Sequence, residues 1–342
     1  MGQWTRKDRF EALLSGEMAD RPIISAWKHF LDKEQNAEDL AGETIDFANQ
    51  YEWDWVKINP RATYLSEVWG SRFDFDDYEW VFPKQLSAQI CNPLDVWGVE
   101  VKDVSKSAPL LEQLNAVKLI RNGLSDTPII QTVFSPLTVL LFIAGQSFYA
   151  DKHIYGSQNP VSMKALFAEN RAGVHKALHA IALTIADYVS ELEKVGIDGL
   201  FYAVTGTANH KLFNVHEFNE FSRPYDLIVL EAARNKKNIL HTCGEHAKPE
   251  LFKDYFIDGI SWDTKAKGNV DLSASFNVTK VGGVDHSHFD ESNALKIRLE
   301  AEAALELMKN EPFILAPNCA VPPNASQVAL KEFKQTLMEG NE

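Results

Sequence analysis

The sequence predicts a (β/α)8 TIM barrel with an N-terminal helix and an insertion after the second strand. Eight short apolar runs occur along the 342 residues, and nearly every run is followed by a helical pattern. Eight such units match the length of this fold. A doubly wound sheet is the alternative, but no Gly-x-Gly-x-x-Gly follows the first run. The predicted strands are 23–27, 53–58, 128–133, 200–203, 239–243, 259–262, 278–284 and 313–316.

Apolar residues at helical spacing lie between these strands. In the first helix Phe10, Leu13 and Leu14 share one face, Thr5 is placed to cap the start, and Gly16 ends it. The remaining helices follow the strands in alternation, which favours a parallel sheet. The predicted helices are 5–15, 38–51, 110–123, 139–144, 160–196 (one or two helices), 215–235, one around Leu251, 293–309 and 326–338.

Residues 71–108 interrupt this alternation. They are polar and aromatic without a clear period, so we expect little regular structure there. Long loops of this kind usually serve a function, and we expect residues 71–108 to fold over the barrel mouth. No linker, repeat or low-complexity tract divides the chain, so residues 1–342 are expected to form a single TIM-barrel domain.

Composition excludes several classes of function. The net charge of −14 argues against a nucleic-acid partner and against an anionic membrane surface. No apolar run reaches the ~18 residues that a spanning helix needs, and the charged first ten residues are unlike a signal peptide. Three cysteines do not form a disulfide framework. We therefore expect a reduced, cytoplasmic protein.

Three residues suggest a metal site. His241 and Cys243 end the fifth predicted strand, where alternation points both side chains the same way. Cys319 follows the last predicted strand. One imidazole and two thiolates suit Zn²⁺ with a fourth position open to substrate, and such an ion is well suited to activating a thiol. The alternative is a core histidine beside two buried thiols.

Active sites of TIM barrels lie at the carboxyl ends of the strands, where the three metal-ligand candidates are found. Asp285, after the seventh strand, is a candidate catalytic group, although it is equally suited to capping the helix that follows. Trp27, His29, Tyr64 and Tyr202 are candidates for contacting substrate, with barrel packing as the alternative.

Several motifs carry a resemblance to a known family. The chain resembles the uroporphyrinogen decarboxylase superfamily, and within it the branch of cobalamin-linked methyltransferases, which includes the methylcobamide:coenzyme M methyltransferases. The resemblance implies a TIM barrel and a zinc ion on His241, Cys243 and Cys319 that activates a thiol acceptor. The motifs are Arg9-Phe10-Glu11-Ala12-Leu13, Asp20-Arg21-Pro22, Phe134-Ser135-Pro136-Leu137-Thr138, His241-Thr242-Cys243-Gly244, Gly282-Gly283-Val284-Asp285 and Ala316-Pro317-Asn318-Cys319-Ala320-Val321-Pro322.

The chain departs from the true decarboxylases of that superfamily. They carry two arginines after the first strand, which bind the acidic side chains of the porphyrinogen, whereas residues 25–30 hold none. They also use an early aspartate in a Phe-Ser-Asp type motif, for which Glu67 is only a loose positional match.

The sequence therefore favours a zinc-dependent methyltransferase-like enzyme. It would move a methyl group between a corrinoid, methylcobalamin, and a thiol acceptor. A corrinoid protein is an expected partner, and an exposed barrel flank would permit a homodimer. The alternatives are a cofactor-free decarboxylase of the uroporphyrinogen type and an accessory protein that binds zinc or cobalamin without turnover.

Overall fold

A parallel sheet of eight strands forms the centre of the protein. The computed structural model describes residues 4–150 and 153–339. In chain order the strands are β1 (Ile23–Ile24), β2 (Val56–Ile58), β3 (Arg72–Glu79), β4 (Phe82–Ser87), β5 (Ile129–Phe134), β6 (Gly199–Thr205), β7 (Ile239–Thr242), β8 (Gly259–Trp262), β9 (Thr279–Val284) and β10 (Phe313–Pro317). The order within the sheet is β1-β10-β9-β8-β7-β6-β5-β2. This order confirms the predicted TIM-barrel class, and every predicted strand is present.

Helices surround the sheet and lie close to the predicted positions. Two connections depart from the pattern: the segment between β7 and β8 contains only the 3-10 helix Pro249–Phe252, where a helix around Leu251 is predicted, and residues 263–278, between β8 and β9, contain no helix. Among the described residues, no helix has both the length and the apolar character needed to cross a bilayer. The helices are α1 (Arg6–Leu14), α2 (Ala37–Gln50), α3 (Tyr64–Glu67), α4 (Ala108–Gly123), α5 (Pro136–Ile143), α6 (Met163–Glu169), α7 (Arg171–Lys194), α8 (Val215–Phe221), α9 (Arg223–Ala232), α10 (Ala294–Met308) and α11 (Gln327–Glu339).

A short set of hydrogen bonds joins the two outer strands, β1 and β2. The Asp54 N–H donates to Ile24 O at 3.1 Å, and Ser25 Oγ donates to Trp55 O at 2.6 Å. The buried Asp54 carboxylate accepts the Ile24 N–H at 3.0 Å and also pairs with Arg21 at 2.6 Å. These bonds bring the edges of the sheet together, so a barrel forms although the first two strands are very short.

This seam leads to a stability prediction for Asp54. An Asp54→Ala variant is expected to lose about 3 kcal/mol of unfolding free energy, because Arg21 and the Ile24 N–H both lose their acceptor. Asp20→Ala is the matched control, because it breaks the more exposed pair with Arg9, and we expect a loss below about 1 kcal/mol. Urea denaturation of both variants measures the difference, and equal losses would contradict the role of this seam.

The barrel strands have two differently packed faces. One core cluster fills the barrel interior and includes Ile130, Phe201 and Ile314. A second, larger cluster lies between the sheet and the helices and includes Leu200 and Tyr202. Neighbouring residues therefore belong to different clusters, as the period-2 alternation of a strand requires.

Helix α1 closes the amino-terminal end of the barrel. Phe10, Leu13 and Leu14 belong to the interior cluster. Thr279, the first residue of β9, donates its hydroxyl hydrogen bond to Leu13 O. Thr5 caps α1 by accepting the Asp8 N–H at 3.1 Å, as predicted. Because α1 closes this end, the carboxyl ends of the strands form the open face of the barrel.

The prediction of little regular structure for residues 71–108 is wrong. Strands β3 and β4 form an antiparallel hairpin, followed by the 3-10 helices Pro93–Gly98 and Val104–Lys106. Phe73 and Phe75 alternate with polar residues and pack against the core, which gives the hairpin one apolar face. The alternation of apolar and polar residues extends over only a few positions among acidic residues, so the sequence does not clearly indicate a strand here.

Candidate functional site

Three candidate metal ligands, one histidine and two cysteines, converge at the carboxyl ends of β7 and β10. His241 lies within β7, Cys243 directly follows that strand, and Cys319 lies two residues after β10. One potential ligand atom of each residue lies within 4.8 Å of the others. Backbone bonds hold the segments, since the Cys243 N–H donates to Thr205 O at 2.9 Å. The structure therefore assembles the trio that the sequence singled out, although 76 residues of chain separate the two cysteines.

The His241 imidazole is oriented as a metal ligand would be. Nδ1 hydrogen-bonds Ser261 Oγ at 3.1 Å, and the ring stacks on Phe201 with centroids 5.1 Å apart. Nε2 is buried without a hydrogen-bond partner. When Nδ1 carries the proton, the Nε2 lone pair is free for a metal ion, which is the usual arrangement of a ligand histidine. These residues therefore fit a zinc ion.

The Cys243 and Cys319 thiols shift each other's pKa in opposite directions. A hydrogen bond from Cys243 lowers the pKa of Cys319 well below its usual value, and the nearby His241 imidazole lowers it further. The same hydrogen bond, together with burial, raises the pKa of Cys243. Cys319 is therefore the thiol of the pair that loses its proton more readily, and a bound metal cation would favour the thiolate form of both cysteines.

Tyr149 contacts the ligand pair from the loop after α5. Burial and the Cys243 sulfur raise the pKa of Tyr149, so the hydroxyl keeps its proton. That hydroxyl hydrogen-bonds the Cys243 sulfur and favours the thiolate form. The Tyr149 ring also lies close to Gly244, where an added Cβ would be 3.5 Å from Cε1. Tyr149 is thus placed to orient a ligand and to stabilise its charge.

Removing the Tyr149 hydroxyl is expected to weaken metal binding without abolishing it. A Tyr149→Phe variant should bind zinc roughly 10-fold more weakly, in the range typical of groups that support a ligand. Competition with a chromogenic chelator measures the affinity. Tyr155→Phe serves as the control, because the Tyr155 hydroxyl bonds Asp77 at 2.9 Å instead of a thiol. Equal affinities in the two variants would contradict this role for Tyr149.

The trio lies in the wall of a strongly apolar pocket. The pocket contains about 730 Å³ of empty space, including the part open to solvent. The tip of the β3–β4 hairpin covers one side through Trp80, Val81 and Phe82. Six further aromatic side chains line the pocket, namely Trp27, Phe134, Phe142, Phe148, Tyr149 and Phe201.

Lys57 brings a buried cation into this pocket. It lies in the middle of β2, is 7% exposed, and donates a hydrogen bond to Asn59 Oδ1. Its ammonium nitrogen lies 4.6 Å from the Phe201 ring centroid and 5.5 Å from that of Trp27. Burial lowers the pKa of Lys57 to about 7, partly offset by the thiols of Cys319 and Cys243.

Sequence reasoning missed both Lys57 and Asn59. The available signal was a charged residue inside an otherwise apolar strand, Trp55-Val56-Lys57-Ile58. Lysine is almost never fully buried in a packed core, so such a residue indicates a functional interior position. Alternation then places Asn59 on the same side of the strand.

The predicted substrate contacts divide into two groups. Trp27 and His29 line the pocket, and His29 Nδ1 bonds Glu34 at 2.9 Å. Tyr64 and Tyr202 do not line it. The Tyr64 hydroxyl donates to Thr132 O at 2.8 Å within the core, and Tyr202 faces the helices, donating to Asp226 at 2.7 Å.

Strand alternation explains the placement of Tyr202. Its neighbours Phe201 and Ala203 line the pocket, so the side chain between them points to the outer layer. There the buried Asp226 also accepts hydrogen bonds from Ser222 at 2.8 Å and Tyr255 at 2.9 Å. Burial nevertheless raises the pKa of Asp226 to about 6. Tyr202 is therefore part of a structural network.

Asp285 lies outside the residues that line the pocket. Its carboxylate accepts the Ser287 N–H at 2.9 Å and the Ser287 hydroxyl at 2.7 Å, so it caps the 3-10 helix His286–His288. The same hydrogen bonds lower the pKa of Asp285 against the effect of burial. The observed contacts of Asp285 are those of a helix cap, and none of them places its carboxylate at the pocket.

Comparison with solved structures identifies the same fold in other proteins. A methyltransferase from Methanosarcina mazei superposes with a TM-score of 0.76 at 19% identity, covering 99% of this chain and all of the other. A B12-independent methionine synthase from Shewanella sp. W3-18-1, in complex with selenomethionine, has a TM-score of 0.54 at 15% identity, with 94% and 99% coverage. At these identities the likeness shows the fold alone.

Sequence comparison identifies the family. No curated protein sequence matches the chain. The family model described as Uroporphyrinogen decarboxylase (URO-D) matches residues 5–339, which is nearly the whole chain. The match spans the helix that plugs the barrel, all eight barrel strands and the three metal-ligand candidates. The chain therefore belongs to the uroporphyrinogen decarboxylase family.

Proposed function

We propose that the protein is a zinc-dependent methyltransferase that moves a methyl group between a corrinoid and a thiol acceptor. One observation carries this proposal. His241, Cys243 and Cys319 converge within 4.8 Å, with an unpartnered His241 Nε2, in the wall of an apolar pocket. No aspartate or glutamate lines that pocket, so its chemistry rests on these ligands, on His29 and on Lys57.

The similar structures support methyl transfer in general. One is named a methyltransferase and another a methionine synthase. The synthase is named as B12-independent, so it does not bear on the donor. The choice of methylcobalamin as donor rests on the resemblance to the cobalamin-linked branch of the family.

Each part of the chain has a distinct task in this proposal. When bound, zinc would act as a Lewis acid that lowers the pKa of a substrate thiol. His241, Cys243 and Cys319 would hold it, Ser261 would fix the imidazole, and Tyr149 would support the Cys243 sulfur. The thiol proton leaves to solvent, the S–CH3 bond forms as the C–Co bond breaks, and both electrons of that bond stay with the corrinoid.

The aromatic wall protects this reaction from water. Phe82, Phe142 and Phe148 pack against one another with ring centroids 5.7 to 6.0 Å apart. Such a wall lowers the local dielectric, which strengthens the electrostatic interactions inside the pocket. Trp80 at the hairpin tip is 49% exposed and lies at the mouth, where the methyl donor would approach.

The partners in this proposal are a small thiol and a corrinoid protein docking over the carboxyl ends of the strands. Access from that side is required, because α1 closes the opposite end of the barrel. A homodimer through the exposed barrel flank stays a prediction, as does the cytoplasmic location.

The alternative is cofactor-free decarboxylation of uroporphyrinogen. A tetrapyrrole with many carboxylates needs several cationic partners, and bidentate arginine suits them best. The residues lining the pocket include one lysine and no arginine. Arg61, the nearest arginine in sequence to Asn59, is already paired with Glu67 at 2.8 Å and with Glu112. This alternative stays a prediction without a geometric observation in its favour.

Elemental analysis of the purified, chelator-free protein tests the proposal directly. We expect about one zinc ion per chain, because three ligands and one open position describe a single tetrahedral site. Incubation with methylcobalamin and a panel of thiols should then yield thioether, measured by mass spectrometry. Absence of zinc after reconstitution under reducing conditions would overturn the proposal, and carbon dioxide release from uroporphyrinogen would favour the decarboxylase.

A further inference from the structure

A histidine and a glutamate form a buried pair at the wall of the apolar pocket. His29 Nδ1 lies 2.9 Å from Glu34 Oε2, and both residues belong to the segment that follows β1. His29 lines the pocket and is 9% exposed, whereas Glu34 is completely buried. A carboxylate beside Nδ1 favours the tautomer with its proton on that nitrogen, which leaves a lone pair on Nε2.

The other ring nitrogen of His29 is the accessible end of this pair. Nε2 makes no hydrogen bond to any residue in the described part of the chain, and it is not fully enclosed by protein atoms. Because His29 lines the pocket, Nε2 is the atom that a substrate can reach. The His29–Glu34 pair therefore has the arrangement of an oriented acid–base histidine.

The charge of Glu34 favours proton uptake by His29. Among the described residues, His29 is the one side chain in contact with the Glu34 carboxylate that can carry a positive charge. The Tyr78 hydroxyl donates to Glu34 Oε1 at 3.4 Å, and it keeps its proton because burial and Glu34 raise the pKa of Tyr78. Arg61 donates to the backbone Glu34 O at 3.3 Å, but its charge is paired with two other glutamates. A proton gained by His29 would therefore balance a buried carboxylate.

The remaining polar groups of the pocket wall are less suited to this task. His241 and the two cysteines would be occupied by the metal ion, and Tyr149 keeps its proton because burial raises its pKa. The Lys57 ammonium donates to Asn59 and lies over two aromatic rings, and these contacts favour its charged form, which has no lone pair. Burial opposes those contacts, so Lys57 is the competing acceptor.

We propose that His29, oriented by Glu34, is the catalytic base that takes up the proton of the substrate thiol. The S–H bond breaks, the new N–H bond forms at Nε2, and the electron pair stays on the sulfur, which attacks the methyl group. The proton passes to solvent after the product has left. Glu34 is a positioning residue, because it contacts the imidazole and not the substrate. The identity of the acid rests on the proposed function, whereas the geometry of the His29–Glu34 pair does not.

Counting protons tests this role without measuring turnover. Isothermal titration calorimetry of the zinc-loaded chain with ethanethiol, in two mildly alkaline buffers of different ionisation enthalpy, gives the number of protons released on binding. We expect almost no release by the unmodified protein, because His29 keeps the proton, and about one proton per thiol in His29→Gln. Glutamine keeps an N–H donor for Glu34, so this variant loses the base and retains the buried contact. Release of a full proton by the unmodified protein would overturn the inference.

Two further variants make the assignment specific. His175→Gln is the matched control, because His175 bonds Glu220 at 2.9 Å but lies outside the pocket. It should match the unmodified protein in proton release and in methyl transfer to ethanethiol, whereas His29→Gln should transfer methyl groups roughly 100-fold more slowly. Lys57→Met should still release almost no proton. A full proton released by Lys57→Met, with none released by His29→Gln, would assign the role to Lys57 and overturn the inference.

Nuclear magnetic resonance of the zinc-free protein separates this inference from the proposed function. With isotope-labelled histidine, the signals that disappear in His29→Gln identify His29. We expect a proton on Nδ1 and none on Nε2 in mildly alkaline buffer. If the protein takes up no zinc or binds no thiol but His29 has this form, the base stands and the methyltransferase proposal fails. A proton on Nε2 would overturn the inference and leave the proposed function intact.

Discussion

A Cys319→Ser variant is expected to lose bound zinc and to reduce thiol methylation by roughly a thousandfold or more. Serine keeps the shape of the side chain, but its hydroxyl does not ionise near neutral pH and is a poor zinc ligand. Cys319 is the thiol that the structure already favours as thiolate, because Cys243 donates a hydrogen bond to it and lowers its pKa. The remaining His241 and Cys243 would offer only two ligands.

The third cysteine provides a matched control for that variant. Cys91 is exposed, and its thiol bonds Ala88 O at 3.3 Å in the segment that follows β4. Cys91→Ser should retain one zinc per chain and full thioether formation. Zinc content by elemental analysis and product by mass spectrometry measure both variants. Full zinc content and activity in Cys319→Ser would contradict the metal site.

A Gly199→Ala variant is expected to destabilise the barrel by roughly 3 kcal/mol or more. A Cβ added at Gly199 would lie 1.7 Å from Lys237 O and 3.2 Å from Ile130 Cγ2. Lys237 O is a backbone atom two residues before β7, so the clash can be relieved only by moving that chain segment away from β6. The displacement would also disturb the pairing that positions His241 beside Ala203.

Gly42→Ala is the control for this substitution. Gly42 lies within α2, and a Cβ added there meets no atom within 4 Å. Alanine is the better helix former, so this variant should gain up to about 1 kcal/mol in unfolding free energy. Urea denaturation measures both changes. A Gly199→Ala protein as stable as the unmodified chain would show that β6 and the start of β7 are not closely packed.

The metal-ligand trio was predictable from the sequence because it depends on local pattern and strand order. His241 and Cys243 are two residues apart, so strand alternation alone orients them together. Cys319 follows another strand of a parallel barrel, and such strands bring their carboxyl ends to one face. Ser261, which bonds His241, and Tyr149, which bonds Cys243, carry no comparable local signal.

The substrate wall was harder to predict, because the facing of each side chain depends on strand register. Tyr202 and Phe201 are adjacent aromatic residues in β6, and only the pairing of β6 with β5 and β7 determines which one faces inward. A shift of one residue would exchange them. The position of Tyr64 was hard to predict for a related reason, since the contacts of α3 depend on distant segments of the chain.

The sequence by itself determined the barrel class, the order of its strands and the set of candidate metal ligands, because hydrophobic period and residue spacing are local properties. Only the tertiary structure decided the polar and aromatic composition of the pocket. It placed the β3–β4 hairpin tip in the pocket wall, and it brought Lys57 near the thiols, where no carboxylate of the described residues pairs with it. Those features depend on contacts between residues far apart in the chain, and such contacts exist only after the sheet has closed.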